Sequence, residues 1–423
     1  MGRKLSPYHT TTRLDDGSLA LYSTVTGRLH ITTEAVYRQL RDGNTEDIDK
    51  SIIDALTCSR ILLNSEEDAM LPVCESDKFS LVLMTSSMCN LSCSYCGQRK
   101  SPGTISPLIQ DDIVRFAERN LVSRQYKVME INWFGGEPTL HMDIIRSLSI
   151  RLRSVAEKVG LSYNARIVTN GILLTEENAK ILVNDCKVSF VEITLDGYGE
   201  FHNVRRKNVF GKGFYEHIIK NIEHLCNYDI TVSIRCNVDQ TNKEGVIPLL
   251  DDLNRRCVHK KIRFYPAMIH SWGDESGKLA MSDEDFGIFE TQILKHMYDN
   301  GFNVDTNVIL PYRTTKRECT AMGDRTFVID HLGYVYKCSE QPYTGNKEAV
   351  IGHVSKVESI SNQKIFTIPD MIIRNCEKCA IYPICGVGCP KRLLEHGQPE
   401  CLPLHERVRF FMEINQIGKS QRL

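Results

Sequence analysis

The chain has 423 residues, of which 42% are hydrophobic and 25% are charged, and its formal net charge is −1. These proportions are typical of a globular protein, and at roughly 150 residues per domain the length predicts two or three domains. The small net charge argues against nucleic acid or an anionic membrane as a partner. The polar N-terminus resembles no signal peptide and no apolar run could span a bilayer, so we expect a cytoplasmic protein.

Residues 1–75 are predicted to form a small N-terminal unit. Two short strands, Leu19–Thr24 and Arg28–Thr32, are joined by a Thr-Gly turn, and helices are predicted over Glu34–Leu40 and Glu46–Thr57. A hairpin followed by two helices fits a small winged-helix module.

Residues 76–275 alternate strands with helices, which predicts a parallel sheet. Six such units are too few for an eight-stranded barrel, so the expected fold class is α/β with a partial (βα)6 barrel and functional loops at the carboxyl ends of the strands. The predicted strands are Phe79–Thr85, Val128–Trp133, Asn164–Val168, Ser189–Leu195, Thr231–Val238 and Lys261–Ala267. The predicted helices are Asp111–Asn120, Met142–Lys158, Thr175–Asn184, Phe214–Asn227 and Glu244–Arg255.

Residues 276–423 have a different character. A helix predicted over Asp283–Tyr298 leads into a cysteine-rich region of loops and short hairpins, and a helix near Leu404–Asn415 closes the chain. We therefore expect a third, loop-rich domain.

Cysteine is the unusual feature of the composition, with 16 residues in the chain. Because the cytosol keeps thiols reduced, we do not expect disulfides. Ten of the cysteines fall into two constellations. The others are predicted to be small buried hydrophobic residues: Cys58, Cys74, Cys186, Cys226, Cys236 and Cys257.

The first constellation directly follows the first strand of the predicted sheet. Cys89, Cys93 and Cys96 form a CxxxCxxC pattern. Three thiolates in such a short loop can hold three irons of a [4Fe–4S] cluster and leave the fourth iron open for a substrate or cofactor. Unrelated core cysteines or a zinc loop are the alternatives, but zinc prefers four ligands, and no histidine lies close by.

This loop resembles the signature of the radical S-adenosylmethionine (SAM) superfamily, and the resemblance covers about residues 79–270. Gly135, Gly136 and Glu137 are similar to the family's GGEP segment, which receives the amino group of SAM. Two glycines let backbone carbonyls approach closely, and a carboxylate can pair with an ammonium group.

The resemblance assigns three more residues to the SAM site. Tyr95 matches an aromatic position that packs near the adenine. Thr194 stands where the family often has serine, in one of two strand-end segments, Thr169–Gly171 and Thr194–Gly197, where ribose and carboxylate contacts are expected. Arg235 is a candidate for the SAM carboxylate.

The resemblance also implies an activity. The open iron chelates SAM, and one electron from the reduced cluster cleaves it to methionine and a 5′-deoxyadenosyl radical, which abstracts hydrogen from an unactivated C–H bond. The protein positions the reactants, excludes water and tunes the cluster potential. A reducing partner such as flavodoxin or ferredoxin is implied.

The second constellation lies near the carboxyl end and comprises seven cysteines: Cys319, Cys338, Cys376, Cys379, Cys385, Cys389 and Cys401. A zinc ribbon or a disulfide knot is the alternative, but seven potential ligands count against it. The spacing resembles the SPASM domain, the C-terminal extension of peptide- and protein-modifying radical SAM enzymes, which carries two auxiliary [4Fe–4S] clusters. Three clusters are thus expected in all.

By that resemblance the auxiliary ligands are interleaved, with Cys319, Cys338 and Cys389 on the inner cluster, nearer the active site, and Cys376, Cys379, Cys385 and Cys401 on the outer one. Two closed clusters need eight ligands, whereas this chain offers seven. The inner cluster is therefore expected to have an open iron or a ligand other than cysteine, such as a carboxylate.

The substrate is suggested by the N-terminal unit. Leu19–Leu63 is similar in outline to the PqqD-like recognition element of ribosomal-peptide maturation systems, which binds a leader peptide by adding it as a strand. A cap without a ligand is the alternative. Sulfatase maturases place an aspartate base where this chain has Ser339, whereas peptide maturases often have a Lys-Cys pair, as at Lys337 and Cys338.

We therefore expect a maturase that acts on a ribosomally made precursor peptide and forms an oxidative crosslink or a similar modification. The alternatives are oxidation of a sulfatase-type protein, a small metabolite as substrate, or, in another class, an iron–sulfur electron carrier or scaffold. No catalytic acid or base is assigned, and Asp330, His331 and Glu340 are each predicted to be structural or on the surface.

Overall fold

The N-terminal part of the protein folds into two small antiparallel sheets and two helices. The structure, a computed structural model, describes residues 3–64, 77–122, 126–269, 279–304, 319, 321, 323–340, 347–356, 370–399, 401 and 404–420. The N-terminal elements are β1 Lys4–Leu5, β2 His9–Arg13, β3 Leu19–Ser23, β4 Leu29–Thr32, α1 Glu34–Arg41, α2 Lys50–Cys58 and β5 Leu62–Leu63. β1 pairs with β5, and β2, β3 and β4 form a three-stranded sheet.

The predicted hairpin and both helices are confirmed in this unit. The Thr33 side chain caps α1 by accepting a hydrogen bond from the Val36 amide. The Asp49 side chain caps α2 by accepting one from the Ser51 amide. The sequence analysis missed β2, because its sequence, His-Thr-Thr-Thr-Arg, lacks the apolar alternation that marks a half-buried strand.

A nine-stranded sheet forms the centre of the molecule. Its first six strands are parallel neighbours in chain order: β6 Lys78–Met84, β7 Val128–Phe134, β8 Ser162–Thr169, β9 Val188–Thr194, β10 Thr231–Val238 and β11 Ile262–Met268. The helices of this region are α3 Pro107–Val122, α4 Met142–Lys158, α5 Glu176–Lys180, α6 Glu200–Arg205, α7 Tyr215–Leu225 and α8 Val246–Arg255. The predicted α/β class and the six parallel strands are confirmed, whereas α6 was not predicted.

The C-terminal region extends this sheet at its other edge. After α9 Asp283–Asp299, β12 Thr326–Ile329 pairs in parallel with β6, and the short strands β13 Tyr334–Tyr336 and β14 Gly352–His353 follow in antiparallel register. The remaining helices are α10 Asp370–Cys376, α11 Tyr382–Cys385, α12 Pro390–His396 and α13 Leu404–Ser420. This extension was not predicted, and it brings Cys338 to the end of a strand that belongs to the central sheet. No helix in the described ranges has the length and apolar character that a membrane span requires.

The central strand β3 joins the N-terminal unit to the main body. Side chains alternate between the two faces of a strand, and here both faces are buried. Leu19 and Leu21 enter the small N-terminal core, whereas Ala20 and Tyr22 belong to the main core. The ring of Tyr22 lies 5.4 Å from that of Phe411 on α13. The first and last elements of the chain therefore pack against each other.

We expect Tyr22→Ala to lower the free energy of unfolding by about 3 kcal/mol, because it removes a fully buried ring from this junction. Urea unfolding followed by circular dichroism measures the change. Ile52→Ala on α2 is the control, since this side chain is 37% exposed and its loss should change the free energy by less than about 0.5 kcal/mol. Equal effects of the two substitutions would contradict the role given to β3.

Candidate active site

The first cysteine constellation lies at the carboxyl end of β6 and lines a cavity of about 410 Å³. Cys89, Cys93 and Cys96 all contribute to its wall. The neighbouring strands add residues at or near their carboxyl ends, namely Phe134, Thr169, Thr194, Asn237 and Met268. The cavity thus opens at the edge of the sheet where functional loops were predicted.

Two glycines after β7 allow the cysteine loop to pack closely against the next strand. Gly135 has φ +132°, and a Cβ on Gly136 would lie 2.2 Å from the carbonyl oxygen of Met88. The Gly136 amide donates to Ser86 O at 2.9 Å, and the Glu137 amide donates to Met88 O at 2.9 Å. Both glycines line the cavity, so the close backbone approach expected of them is present.

The carboxylate of Glu137 points into the protein and not into the cavity. It is fully buried and accepts hydrogen bonds from the Thr139 amide at 3.1 Å, from the Thr139 and Thr169 hydroxyls at 2.6 Å each and from the Asn170 amide at 2.7 Å. Burial raises its pKa, and these hydrogen bonds oppose that shift. The carboxylate thus ties β7 to β8, and its contact with an ammonium group stays a prediction.

Asn170 connects the hydrogen bonds around Glu137 to the cysteine loop. Its side-chain amide lies 3.8 Å from Cys89 Sγ and donates to Asn90 Oδ1 at 2.7 Å. The Ile172 amide in turn donates to Asn170 Oδ1 at 3.0 Å. This side chain is 4% exposed, so it can hold a cysteine ligand in place without contacting solvent.

Tyr95 lies on the cavity wall at the centre of a polar network. Its hydroxyl donates to Asp196 Oδ2 at 2.5 Å and accepts from Asn237 Nδ2 at 3.0 Å and from Arg206. Arg206 and Asp196 also form a buried ion pair at 3.7 Å. Burial raises the pKa of Tyr95 well above its usual value, so this phenol stays protonated.

Arg206 was missed by the sequence analysis, although it lines the cavity and is 8% exposed. The available signal was the Arg-Arg pair that closes α6 soon after the strand-end segment Thr194–Gly197. An arginine pair in the sequence does not reveal which of the two guanidinium groups lines the cavity.

Arg235 and Thr194, both predicted SAM contacts, line the same cavity. Arg235 Nε donates to Asn237 Oδ1 at 2.8 Å, and its NH1 atom lies 4.0 Å from Glu192 Oε1. Thr194 is 7% exposed. The structure brings these two residues together with Tyr95, Gly135 and Gly136 on one wall.

Two of the C-terminal cysteines, Cys338 and Cys376, have other cysteines as close neighbours. Burial is the main cause that raises the pKa of Cys338 to about 11, and its neighbours Glu340, Cys319 and Cys389 contribute to the shift. Burial likewise raises the pKa of Cys376, with added contributions from its neighbours Cys385, Cys401 and Cys379. Several of these cysteines stand at helix ends, where the chain turns: Cys376, Cys385 and Cys389.

Across the described residues, no three side chains of His, Cys, Asp and Glu stand close enough to share one metal ion. A cubane cluster carries its thiolates on separate irons, so it requires wider spacing than a single ion.

The scattered cysteines follow the prediction only in part. Cys186 and Cys236 are buried and Cys226 is half-buried. Cys58 and Cys257 are exposed, so the prediction of burial is wrong for them. Cys74 lies outside the described residues.

The C-terminal region also contributes residues to the lining of the cavity: Ser339, Glu340, Lys391, Arg392 and Glu395. Lys391 Nζ lies 3.3 Å from Glu340 Oε2 and 3.1 Å from Glu395 Oε1. Glu340, predicted to be structural or on the surface, lines the cavity, and its side chain is 38% exposed.

The other two residues near Cys338 fit the prediction. Asp330 accepts hydrogen bonds from the Leu332 and Tyr334 amides and from the Tyr336 hydroxyl. His331 is buried. Both therefore support the local fold.

Comparison with protein families decides the nature of this site. Residues 83–253, which carry the cysteine loop and most of the cavity wall, match the model of the radical SAM superfamily. This protein contains a radical SAM domain. Its cofactors are accordingly SAM and [4Fe–4S] clusters, and the donor set fits them, because three cysteines and two closely packed glycines share one wall.

Similar sequences include two sulfatase maturases. A cysteine-type anaerobic sulfatase-maturating enzyme from Clostridium perfringens is 22% identical over 361 residues, which cover 79% of this chain and 94% of the relative. A serine-type enzyme from Klebsiella aerogenes is 20% identical over 342 residues, which cover 77% and 82%.

Similar solved structures include anSMEcpe with bound AdoMet and the Cp18Cys peptide, at a TM-score of 0.59 and 20% identity, covering 79% of this chain and 96% of that one. Streptococcus suis SuiB bound to precursor peptide SuiA matches at a TM-score of 0.52 and 16% identity, covering 95% of this chain and 98% of SuiB. The SuiB match leaves out 5% of this chain, which is fewer residues than the N-terminal unit contains. The shared fold therefore includes part of the N-terminal unit. Both likenesses extend beyond the radical SAM domain and fit a SPASM-like C-terminal region.

Gly136→Ala is expected to lower the thermal midpoint and the iron content of the purified protein, because the added Cβ collides with backbone of the cysteine loop. Overpacking of this kind costs about 1–3 kcal/mol. Differential scanning fluorimetry and iron analysis measure the two effects. Gly160→Ala is the control. The backbone at Gly160 has a positive φ, but an added Cβ there would meet no atom within 4 Å. Full iron retention in Gly136→Ala would show that the close approach is dispensable.

Proposed function

We propose that the protein is a maturase that acts on a ribosomally made precursor peptide and forms an oxidative crosslink or a similar modification. The observation that carries the proposal is an additional small sheet, β2–β3–β4, that shares its central strand with the core of a radical SAM enzyme. The fold likeness to SuiB, which is bound to a precursor peptide, supports it.

The proposed domains are residues 1–75 for peptide recognition, 76–275 for the radical SAM core and 276–423 for the auxiliary clusters. Two features support this division. The matched family model ends at residue 253, and the cysteines beyond it form separate groups.

In this proposal Cys89, Cys93 and Cys96 hold the catalytic cluster, whose fourth iron is left for SAM. When bound, the cluster and SAM supply a 5′-deoxyadenosyl radical. Gly135 and Gly136 line the cavity beside the loop, so their backbone would contact SAM there.

Three further residues that line the cavity would hold SAM. Thr194 and Arg235 offer a hydroxyl and a guanidinium for its ribose and carboxylate. Tyr95 offers its ring, and the bonds of its hydroxyl to Asp196 and Arg206 keep that ring in one orientation. A side chain that is already held in its binding orientation loses less conformational entropy when the ligand binds.

The auxiliary ligands are proposed as the inner set Cys319, Cys338 and Cys389 and the outer set Cys376, Cys379, Cys385 and Cys401. Glu340 stands two residues after Cys338 and faces the cavity. A carboxylate in this position supports the proposal that the inner cluster takes a ligand other than cysteine, or that it binds substrate at an open iron. No partner role is proposed for nucleic acid or a membrane.

The exposed edge of β4 is the proposed docking strand for a leader peptide. Residue pairs in an antiparallel ladder alternate between those that exchange hydrogen bonds and those that do not. The Ser23 amide bonds Arg28 O, so in the register of β3 and β4 the backbone of Leu29 and Ile31 faces away from β3. A peptide could therefore extend this sheet by main-chain hydrogen bonds.

Iron and sulfide content tests the cluster assignment. We expect about twelve of each per chain after anaerobic reconstitution, since each cubane holds four. Cys319→Ala combined with Cys338→Ala should remove about four irons and leave SAM cleavage by the catalytic cluster, measured as 5′-deoxyadenosine. Cys186→Ala is the control, because this buried thiol belongs to neither constellation. About four irons in the unaltered protein would leave the C-terminal cysteines without clusters.

Ile31→Pro tests peptide recognition. Proline removes an amide that faces the open edge of the sheet, so binding of the precursor peptide should weaken about tenfold, which corresponds to ~1.4 kcal/mol. Fluorescence anisotropy with the peptide encoded beside the gene measures the affinity. Ile31→Val keeps the amide and serves as the control. Unchanged affinity in the proline variant would remove β4 as the docking strand.

Sulfatase maturation is the second candidate, because the similar sequences include enzymes of both the cysteine and the serine type. Ser339 argues against it, since an aspartate base is expected at this position in those enzymes. A sulfatase-derived peptide offered beside the precursor peptide discriminates the two. Turnover of the sulfatase peptide alone would favour this candidate.

A further inference from the structure

A surface turn beside the catalytic cysteine loop presents apolar side chains to solvent. Val209 and Phe210 at its tip are 76% and 90% exposed. Phe201 and Val204, which lie three residues apart on α6, are 38% and 55% exposed. We call these four side chains the Phe210 patch. All four lie between positions 201 and 210, and exposed apolar surface of this kind marks interaction sites.

The turn has a defined structure, so its exposure does not come from fraying. Asn208 Oδ1 accepts from the Phe210 amide at 3.0 Å and from the Lys212 amide at 2.9 Å. The Asn208 amide donates to Lys212 O at 3.0 Å. An asparagine that organises its own turn in this way holds the following residues outward.

The same segment is bonded directly to the cysteine loop. The Ser92 amide donates to Lys207 O at 2.7 Å, and the Ser94 amide donates to Arg205 O at 3.0 Å. Ser92 and Ser94 immediately flank Cys93, and both are exposed. A protein seated on the patch would therefore contact the loop that carries the catalytic ligands.

The patch lies beside the cavity and not inside it. The lining includes Arg206 but none of residues 207–212. A substrate must reach the cavity, whereas an electron donor needs only to approach the edge of the cluster. This placement favours a donor over a substrate as the occupant.

The charges around the patch indicate what its partner carries. Lys207 and Lys212 flank the tip and are exposed, as is Arg99 at the end of the cysteine loop, whereas Glu200 is the one acidic residue between positions 198 and 212. The whole chain has a net charge of only −1, so this excess of positive charge is local. Apolar contacts ringed by lysine suit a partner with an acidic rim.

We propose that the Phe210 patch docks the enzyme's electron donor, a small acidic redox protein. The inference rests on the proposed function, because a donor is needed only if Cys89, Cys93 and Cys96 hold a reducible cluster. In the step served by this contact the donor loses one electron and the cluster gains it, and no atom is transferred.

The test compares binding with two routes of reduction. Phe210→Ser and the double variant Lys207→Glu/Lys212→Glu are reconstituted beside Leu108→Ser, a control whose side chain is 67% exposed on α3. Biolayer interferometry gives the Kd for a purified flavodoxin and for an acidic ferredoxin at low and high salt. Formation of 5′-deoxyadenosine is measured with reduced flavodoxin and, separately, with dithionite.

We expect Phe210→Ser to weaken flavodoxin or ferredoxin binding about tenfold, as loss of an interface hot spot does. The lysine double variant should also lose most of the salt dependence of Kd. Cleavage driven by the protein donor should slow by about the same factor, whereas cleavage driven by dithionite and all properties of Leu108→Ser should stay unchanged.

Four outcomes would overturn the inference. Unchanged Kd in both patch variants removes the docking surface, and so does failure of the unaltered protein to bind either donor. A changed affinity for the precursor peptide alone assigns the patch to the substrate, and a changed oligomeric state assigns it to a second copy of the chain. Failure of the unaltered enzyme to cleave SAM with dithionite is a different result, because it refutes the proposed function itself.

Discussion

The site depends on one close contact, between the segment Gly135–Glu137 and the start of the cysteine loop at Ser86–Met88. Two backbone hydrogen bonds and the absence of any Cβ at Gly136 let the two chains run together. This contact fixes where the loop leaves β6. The three cysteines that follow this starting point all line the cavity.

Burying the Glu137 carboxylate beside this contact costs desolvation free energy, and hydrogen bonds from neighbouring groups offset that cost. Glu137 has no cationic partner within its hydrogen-bond set, and its four bonds all come from neutral groups on the two adjoining strand ends. Such bonds offset desolvation only while all are made. The residue therefore favours one arrangement of β7 and β8, the two strands whose ends line the cavity beside Tyr95.

Much of this could be predicted from the sequence, and the failures have physical causes. The six parallel strands follow from local periodicity, and the cavity position follows from their carboxyl ends. β12 could not be predicted to join β6, because pairing across more than 240 residues leaves no local pattern. Likewise the GGEP segment indicated that Glu137 matters, but the direction of its carboxylate depends on Thr169 from another strand. Arg206 was missed for the same reason, since its role comes from packing against Tyr95.

The cysteine loop is held on several sides by different parts of the chain. The glycine segment holds its beginning, Asn170 contacts Cys89, and the carbonyls of Arg205 and Lys207 accept from Ser94 and Ser92. Ordering a loop costs about 1–2 kcal/mol per residue in lost backbone freedom. These contacts offset part of that cost, so the fold itself contributes to ordering the loop that carries the three thiols.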